Sequence, residues 1–221
     1  MPGGWDEEQR ARSVGYVCIA GLDEAGRGAL AGPVVAACVV LPFERAPAGI
    51  DDSKALTPRQ RDAAYADIVS CARGTGIGIV EPGVIDSINI LRASHLAMRH
   101  ALAALPSGLR PDLALIDGLP VRPFPLEQIA LIAGDRRSIS IAAASIVAKV
   151  TRDRLMAEMD AAYPGYGFSA HKGYPSPVHL QALKLLGPCA QHRLSYRPVQ
   201  MVCAEMAEPS PRARTAGKRP R

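Results

Sequence analysis

Two short apolar runs in this chain stop on an acid, and a third is followed by one. The run 17–23 (Val-Cys-Ile-Ala-Gly-Leu-Asp) ends at Asp23, with Glu24 beside it. The run 113–117 (Leu-Ala-Leu-Ile-Asp) ends at Asp117, and the stretch 128–133 leads into Gly134-Asp135. Apolar runs this short fit buried strands. In open α/β sheets functional groups gather where strand ends converge, so if the first and fourth strands are neighbours, Asp23 meets Asp117. A lone acid after a strand is a turn former or a helix cap. A cluster of carboxylates repels itself and is tolerable when a cation neutralises it. Oxygen-only ligands suit Mg²⁺ or Mn²⁺, and a pair of such ions forms a clamp for phosphoryl displacement. Spacing alone leaves both readings open.

The remaining pattern alternates strands and helices. The stretch 33–41 is a second strand and pairs with the first as a hairpin. Thr57, Pro58 and Gln60 open a helix over about 57–71 with a capping box. The spacing then predicts a strand over 76–80, one long helix over 84–105, an Ala-rich helix over 138–159 and a last helix over 176–186. Adjacent strands followed by alternation favour an α/β fold with a mixed central sheet flanked by helices and a helical C-terminal segment. Residues 1–14 read as a mobile arm, 15–200 as one domain, and 201–221 as a disordered basic tail.

Several classes of function are disfavoured. No apolar run reaches the roughly 18 residues of a membrane helix, and the charged N-terminus lacks a secretion signal, which points to the cytoplasm. The five cysteines are widely spaced without a C-x-x-C pair, so neither a zinc site nor a disulfide framework is expected. The net charge is +5, and residues 201–221 hold five basic against two acidic side chains. That excess permits a polyanionic partner. The tail either adds salt-sensitive affinity for a duplex or solubilises the chain. The glycines at 26, 28 and 32 are not a dinucleotide fingerprint, because the third is one residue late and a strand follows. They form either a tight hairpin or a loop whose amides approach a sugar hydroxyl or phosphate closely.

Five ordered segments carry a resemblance. Gly-Leu-Asp-Glu-Ala-Gly-Arg-Gly at 21–28, Asp-Ser-Lys-Ala-Leu at 52–56, Ile-Asp-Gly at 116–118, the stretch from Gly134-Asp135 through Asp153, and Tyr163-Pro164 with His-Lys-Gly-Tyr-Pro at 171–175, His179 and His192-Arg193 resemble the ribonuclease HII (type 2 ribonuclease H) family. The resemblance covers about residues 17–199. It implies a ribonuclease H-like fold and an endonuclease, dependent on Mn²⁺ or Mg²⁺, that hydrolyses the RNA strand of RNA–DNA hybrids. It also implies cutting on the 5′ side of single ribonucleotides embedded in duplex DNA, leaving 3′-hydroxyl and 5′-phosphate ends by a two-metal-ion mechanism.

Carried over residue by residue, Asp23, Glu24, Asp117 and Asp135 match the catalytic, metal-binding carboxylates. Gly26, Arg27 and Gly28 match the loop that senses the ribose 2′-hydroxyl, and Tyr174 matches the tyrosine that stacks at the RNA–DNA junction. Lys54 and Lys172 are candidate phosphate contacts. Ser145, Lys149 and Arg152 share one helical face, with Lys149 close to the metal ligands and Asp153 a structural partner of a nearby base. His171, His179 and His192 either contact nucleic acid or brace the C-terminal segment. Tyr196 stands where the family commonly has Phe and Leu119 where it often has a polar residue; both are expected to lie away from the chemistry. The chain is expected to be a monomer. A binder without catalysis is disfavoured because all four acids are present. A nuclease for junctions or DNA ends is disfavoured by the 26–28 loop and Tyr174.

Overall fold

The computed structural model describes residues 4–43, 45–47, 50 and 56–207. In chain order the elements are α1 (Asp6–Ser13), β1 (Ile19–Ala25), β2 (Val34–Val40), α2 (Pro58–Cys71), β3 (Gly74–Val80), α3 (Pro82–Ile88), α4 (Ile90–Ala103), β4 (Leu113–Asp117) and β5 (Gln128–Leu131). A single 3₁₀ turn, Gly134–Arg136, then leads into α5 (Ile139–Ala162), α6 (Phe168–His171), α7 (Pro177–Leu186) and α8 (Arg197–Ala207).

The sheet order is β3-β2-β1-β4-β5. β1, β2 and β3 pair antiparallel, while β4 joins β1 in parallel and β5 joins β4 in parallel. This is the mixed sheet that the sequence pattern favours. Side chains alternate between its two faces. Ala20, Leu22, Ala36, Cys38, Ala114 and Ile116 pack with Ala93, Ala97 and Ala101 of α4. On the other face Ala37 and Val39 pack against Ile68 of α2 and the small side chains of α5, and Leu113 and Leu115 pack with Ile141. No helix among the described residues is long and apolar enough to cross a membrane.

The capping box of α2 is present: the Gln60 amide donates to Thr57 Oγ1 at 3.3 Å, and Gln60 Oε1 accepts from the Thr57 amide at 2.9 Å. Three expectations change. The long helix over 84–105 is two helices, because Asn89 takes a φ of +68° and its side chain caps α4 by accepting from the Arg92 amide at 3.1 Å. Residues 6–13, expected to belong to a mobile arm, form α1. Glu8 anchors it, accepting from Ser138 Oγ at 2.6 Å and the Ser140 amide at 3.0 Å at the start of α5, where a helix end favours negative charge. The first part of the expected disordered tail, residues 201–207, is instead helical as the end of α8, because Val199 and Val202 are buried against Leu30 and Leu183. Residues 208–221 of the expected tail lie outside the described residues.

Candidate active site

Sheet register brings the first acids together. β1 and β4 run parallel with Leu22 opposite Ile116, so Asp23 and Asp117 stand one step further along neighbouring strands at the same end. Alternation places Gly21 and Asp23 with Leu115 and Asp117 on the face that α5 covers. Gly21 makes that cover close. A Cβ there would lie 2.1 Å from the Ser140 carbonyl carbon, so only glycine lets α5 settle against β1 at this distance. Five residues further along α5, the Ser145 hydroxyl reaches Asp23 and donates a hydrogen bond to it.

The carboxylates are held against their own repulsion. Burial is the largest cause that lifts the Asp23 carboxyl well above its usual range, and the charges of Glu24 and Asp117 add to it. The Ser145 hydroxyl and the Glu24 amide, which donates to Asp23 Oδ1 at 2.7 Å, pull the other way. Burial also raises the Glu24 carboxyl, opposed by Arg27, whose Nη1 lies 2.9 Å from Glu24 Oε1. Asp23, Glu24 and Asp117 all line one cavity of about 590 Å³.

Asp135 sits beside this group. It is buried on the 3₁₀ turn beyond β5, and the preceding residue's amide, Gly134 N–H, donates to Asp117 Oδ1 at 2.7 Å. Asp135 is not among the residues that line the cavity. Among the described residues no three His, Cys, Asp or Glu side chains are already gathered into a cage for an ion. The donor chemistry nonetheless fits a hard divalent cation, since it consists of carboxylate oxygens whose ionised forms are disfavoured until positive charge arrives.

Gly26, Arg27, Gly28 and Tyr174 line the same cavity as the acids. An ideal Cβ on Gly28 would stand 3.9 Å from Tyr174 Cε1, and the Leu30 amide donates to the Gly173 carbonyl at 2.8 Å, which ties the loop after β1 to the segment carrying Tyr174. Tyr174 is 38% exposed. Lys54 lies outside the described residues. Lys172 lines a neighbouring groove instead, with its Nζ 2.6 Å from the Ser169 carbonyl. Lys149 and Arg61 line the acidic cavity, and both pair with Asp153, at 2.6 and 3.6 Å. Asp153 thus partners bases.

Beneath the 26–32 loop lie two fully buried arginines that the sequence reading did not single out for this role. Arg193 donates to the carbonyls of Gly26 (2.7 Å), Arg27 (2.9 Å) and Gly32 (2.9 and 3.0 Å). Arg152 donates to the carbonyls of Ala31 (3.2 Å) and Pro33 (3.0 Å), and its guanidinium carbon lies 5.4 Å from the centre of the Tyr174 ring. Burial lowers the Arg152 pKa to about 10. Tyr196, expected to lie away from the chemistry, donates from its hydroxyl to the Arg27 carbonyl at 2.7 Å. The one sequence signal for Arg152 is a cation among the alanines of α5; spacing offers none for Arg193 or Tyr196.

The histidines brace rather than line the cavity. The Cys189 amide donates to His192 Nδ1 (3.0 Å), so His192 Nε2 carries the proton and donates to His179 Nε2 (3.1 Å); His179 Nδ1 then donates to the Tyr174 carbonyl (2.9 Å). These tautomers follow from the bonding pattern. His171 stacks on His179 with ring centres 4.3 Å apart. Burial, reinforced by His179, lowers the His192 pKa to about 4.

A mixed five-stranded sheet flanked by helices, with carboxylates at the ends of its adjacent parallel strands, is a ribonuclease H-like fold carrying oxygen donors suited to a hard divalent cation. The crystal structure of the ribonuclease H2 from Pyrococcus horikoshii OT3 is similar, with a TM-score of 0.73 and 25% identity over 87% of this chain and 100% of that one. A Bst-RNase HIII structure in complex with Mn²⁺ shares the fold, with a TM-score of 0.71 and 17% identity over 89% of this chain and 72% of that one. The family model for Ribonuclease HII matches residues 20–199, and the Ribonuclease HII of Geobacter sulfurreducens is 54% identical over 200 residues, 90% of this chain and 91% of that protein. The chain belongs to the ribonuclease HII family, whose members are endonucleases acting on the RNA of RNA–DNA hybrids.

Proposed function

We propose that this cleft hydrolyses the phosphodiester on the 5′ side of a ribonucleotide, both within RNA–DNA hybrids and at single ribonucleotides embedded in duplex DNA. The observation that carries the reading is the β1–β4 register, which sets Asp23 and Asp117 side by side on a cavity that Glu24, the 26–28 loop and Tyr174 share.

Asp23, Glu24, Asp117 and Asp135 are the residues that would hold two Mn²⁺ or Mg²⁺ ions. Bound there, such ions neutralise the acids, make water a nucleophile near neutral pH and stabilise charge on the leaving oxygen. The chain's own groups do the selecting and aligning. The 26–28 loop reads the 2′-hydroxyl, the group that tells RNA from DNA. Tyr174 offers an aromatic face to the nucleotide at the junction. Lys149 and Arg61 place positive charge along the wall, where a phosphate backbone needs it. Water forms a new bond to phosphorus as the bond to the 3′-oxygen of the preceding nucleotide breaks. The products are a 3′-hydroxyl and a 5′-phosphate on the ribonucleotide. The reading places the protein in the cytoplasm as a monomer.

The test is cleavage of a labelled DNA duplex with one ribonucleotide, in Mg²⁺, in Mn²⁺ and in EDTA. An all-DNA duplex and the Asp117→Asn variant serve as controls. One metal-dependent cut on the 5′ side of the ribonucleotide, absent from both controls, is the expected result. A folded protein that binds the duplex and cuts it with neither metal overturns the reading in favour of a binding module.

A further inference from the structure

We propose that Arg193 and the Tyr196 hydroxyl are positioning residues that set which way the peptides of the 26–28 loop face, and thereby set the preference for a ribonucleotide. The inference rests on the proposed role of that loop.

A trans peptide points its carbonyl and its amide in opposite directions. The Gly26 carbonyl shares a peptide with the Arg27 amide, and the Arg27 carbonyl shares one with the Gly28 amide. Both carbonyls are drawn inward by a single buried guanidinium, Arg193 Nη2 to Gly26 and Nη1 to Arg27. The two amides are therefore turned outward, to the side where Gly26, Arg27 and Gly28 line the cavity. Glycine at 26 and 28 leaves these peptides free to rotate unless something holds them. A flipped peptide would offer the cavity a carbonyl oxygen, repelling phosphate and changing what a sugar hydroxyl meets.

The brace needs this side chain. Arg193 spends Nε, Nη1 and Nη2 on three carbonyls and one hydroxyl, a fork that a lysine ammonium cannot reproduce. Tyr196 closes the arrangement. Its hydroxyl accepts from Arg193 Nη1 at 3.0 Å and donates to the Arg27 carbonyl at 2.7 Å, so that carbonyl is held twice. Arg152 holds the far side of the loop at residues 31 and 33, and leaves residues 26 and 27 to Arg193.

The experiment measures Kd for two duplexes, one all-DNA and one with a single ribonucleotide, with Ca²⁺ in place of Mg²⁺ to suppress turnover. It compares the unmodified protein with Tyr196→Phe and Arg193→Lys, with a thermal melt of each. Tyr196→Phe is expected to shrink the ratio of the two Kd values by about 3- to 10-fold, the worth of one hydrogen bond, at nearly unchanged Tm. Arg193→Lys is expected to shrink it by about tenfold or more and to lower Tm. If Arg193→Lys fails to fold, Tyr196→Phe decides. An unchanged ratio in Tyr196→Phe overturns the proposal, and so does equal weakening on both duplexes, which would mark a merely structural brace. A ratio near one in the unmodified protein instead counts against the proposed role of the loop, before any variant is read.

Discussion

The Gly134 amide donates to Asp117 Oδ1 at 2.7 Å, so one oxygen of this carboxylate is oriented by backbone from the neighbouring turn. Asparagine keeps an oxygen that accepts the same bond and removes the charge. Asp117→Asn is expected to fold normally, to bind a ribonucleotide-containing duplex within about threefold of the unmodified protein, and to lose about a hundredfold or more in kcat. Single-turnover kinetics and a binding titration check this together. Equal losses in both would remove Asp117 from the chemistry.

Divalent cations are expected to stabilise the fold, because Asp23 and Glu24 are buried carboxylates with raised pKa values that lack a full complement of positive charge. At a metal concentration about a hundred times Kd, Tm should rise by roughly 5–10 °C and fall back in EDTA. Calorimetry with Mg²⁺ and with Mn²⁺ reads this without any turnover. In Asp117→Asn the increment should shrink.

Gly26 and Gly28 should respond differently to a methyl group. Gly26 has a φ of +95°, and a Cβ there would lie 2.0 Å from Arg152 Nε, which is pinned to the Pro33 carbonyl. Gly26→Ala is expected to cost about 1–3 kcal/mol in a denaturant melt. At Gly28 the added carbon only touches the Tyr174 ring at 3.9 Å, so Gly28→Ala should leave stability nearly intact and shift the preference between ribonucleotide and deoxynucleotide.

Acid should loosen the segment that carries Tyr174. His192 faces His179, Cys189, Tyr166 and Phe168, with His171 behind His179, and its pKa is lowered to about 4 from 6.5. The unfolded chain takes up the proton first, so this contribution to stability is complete above pH 6.5 and is lost as pH falls from 6.5 to about 4. The loss is on the order of 3 kcal/mol. Denaturant melts across that range check it, and a flat profile that His192→Asn leaves unchanged would count against it.

The parts of the fold that depend on local pattern were legible in the sequence. The capping residues of α2, the apolar run of β4 and the hairpin of β1 and β2 all follow from side chains close together in the chain. The pairing of Asp23 with Asp117 was legible only as a condition, because strand order is a tertiary fact; the β1–β4 register supplies it. The break at Asn89 was hidden because the apolar spacing continues across it, while one side chain and one positive φ decide the outcome. Docking of α1 depends on Glu8 meeting the start of α5, and no pattern within residues 1–14 announces that contact. Arg193 and Tyr196 stayed obscure for the same reason, since their partners stand more than 160 positions away.

That separation bears on synthesis. A ribosome delivers the chain from the N-terminus, and compact structure forms as segments emerge. By the time residue 135 is out, every acid of the cleft has been made, yet the guanidinium that turns the Gly26 and Arg27 carbonyls inward is 58 positions further on. A nascent or truncated chain ending between residues 153 and 192 carries all four carboxylates and Arg152, but its Gly26 and Arg27 carbonyls lack the guanidinium that holds them. On the proposed roles, selectivity thus enters later in synthesis than reactivity, and a nonsense change before residue 193 is expected to strip the first before the second.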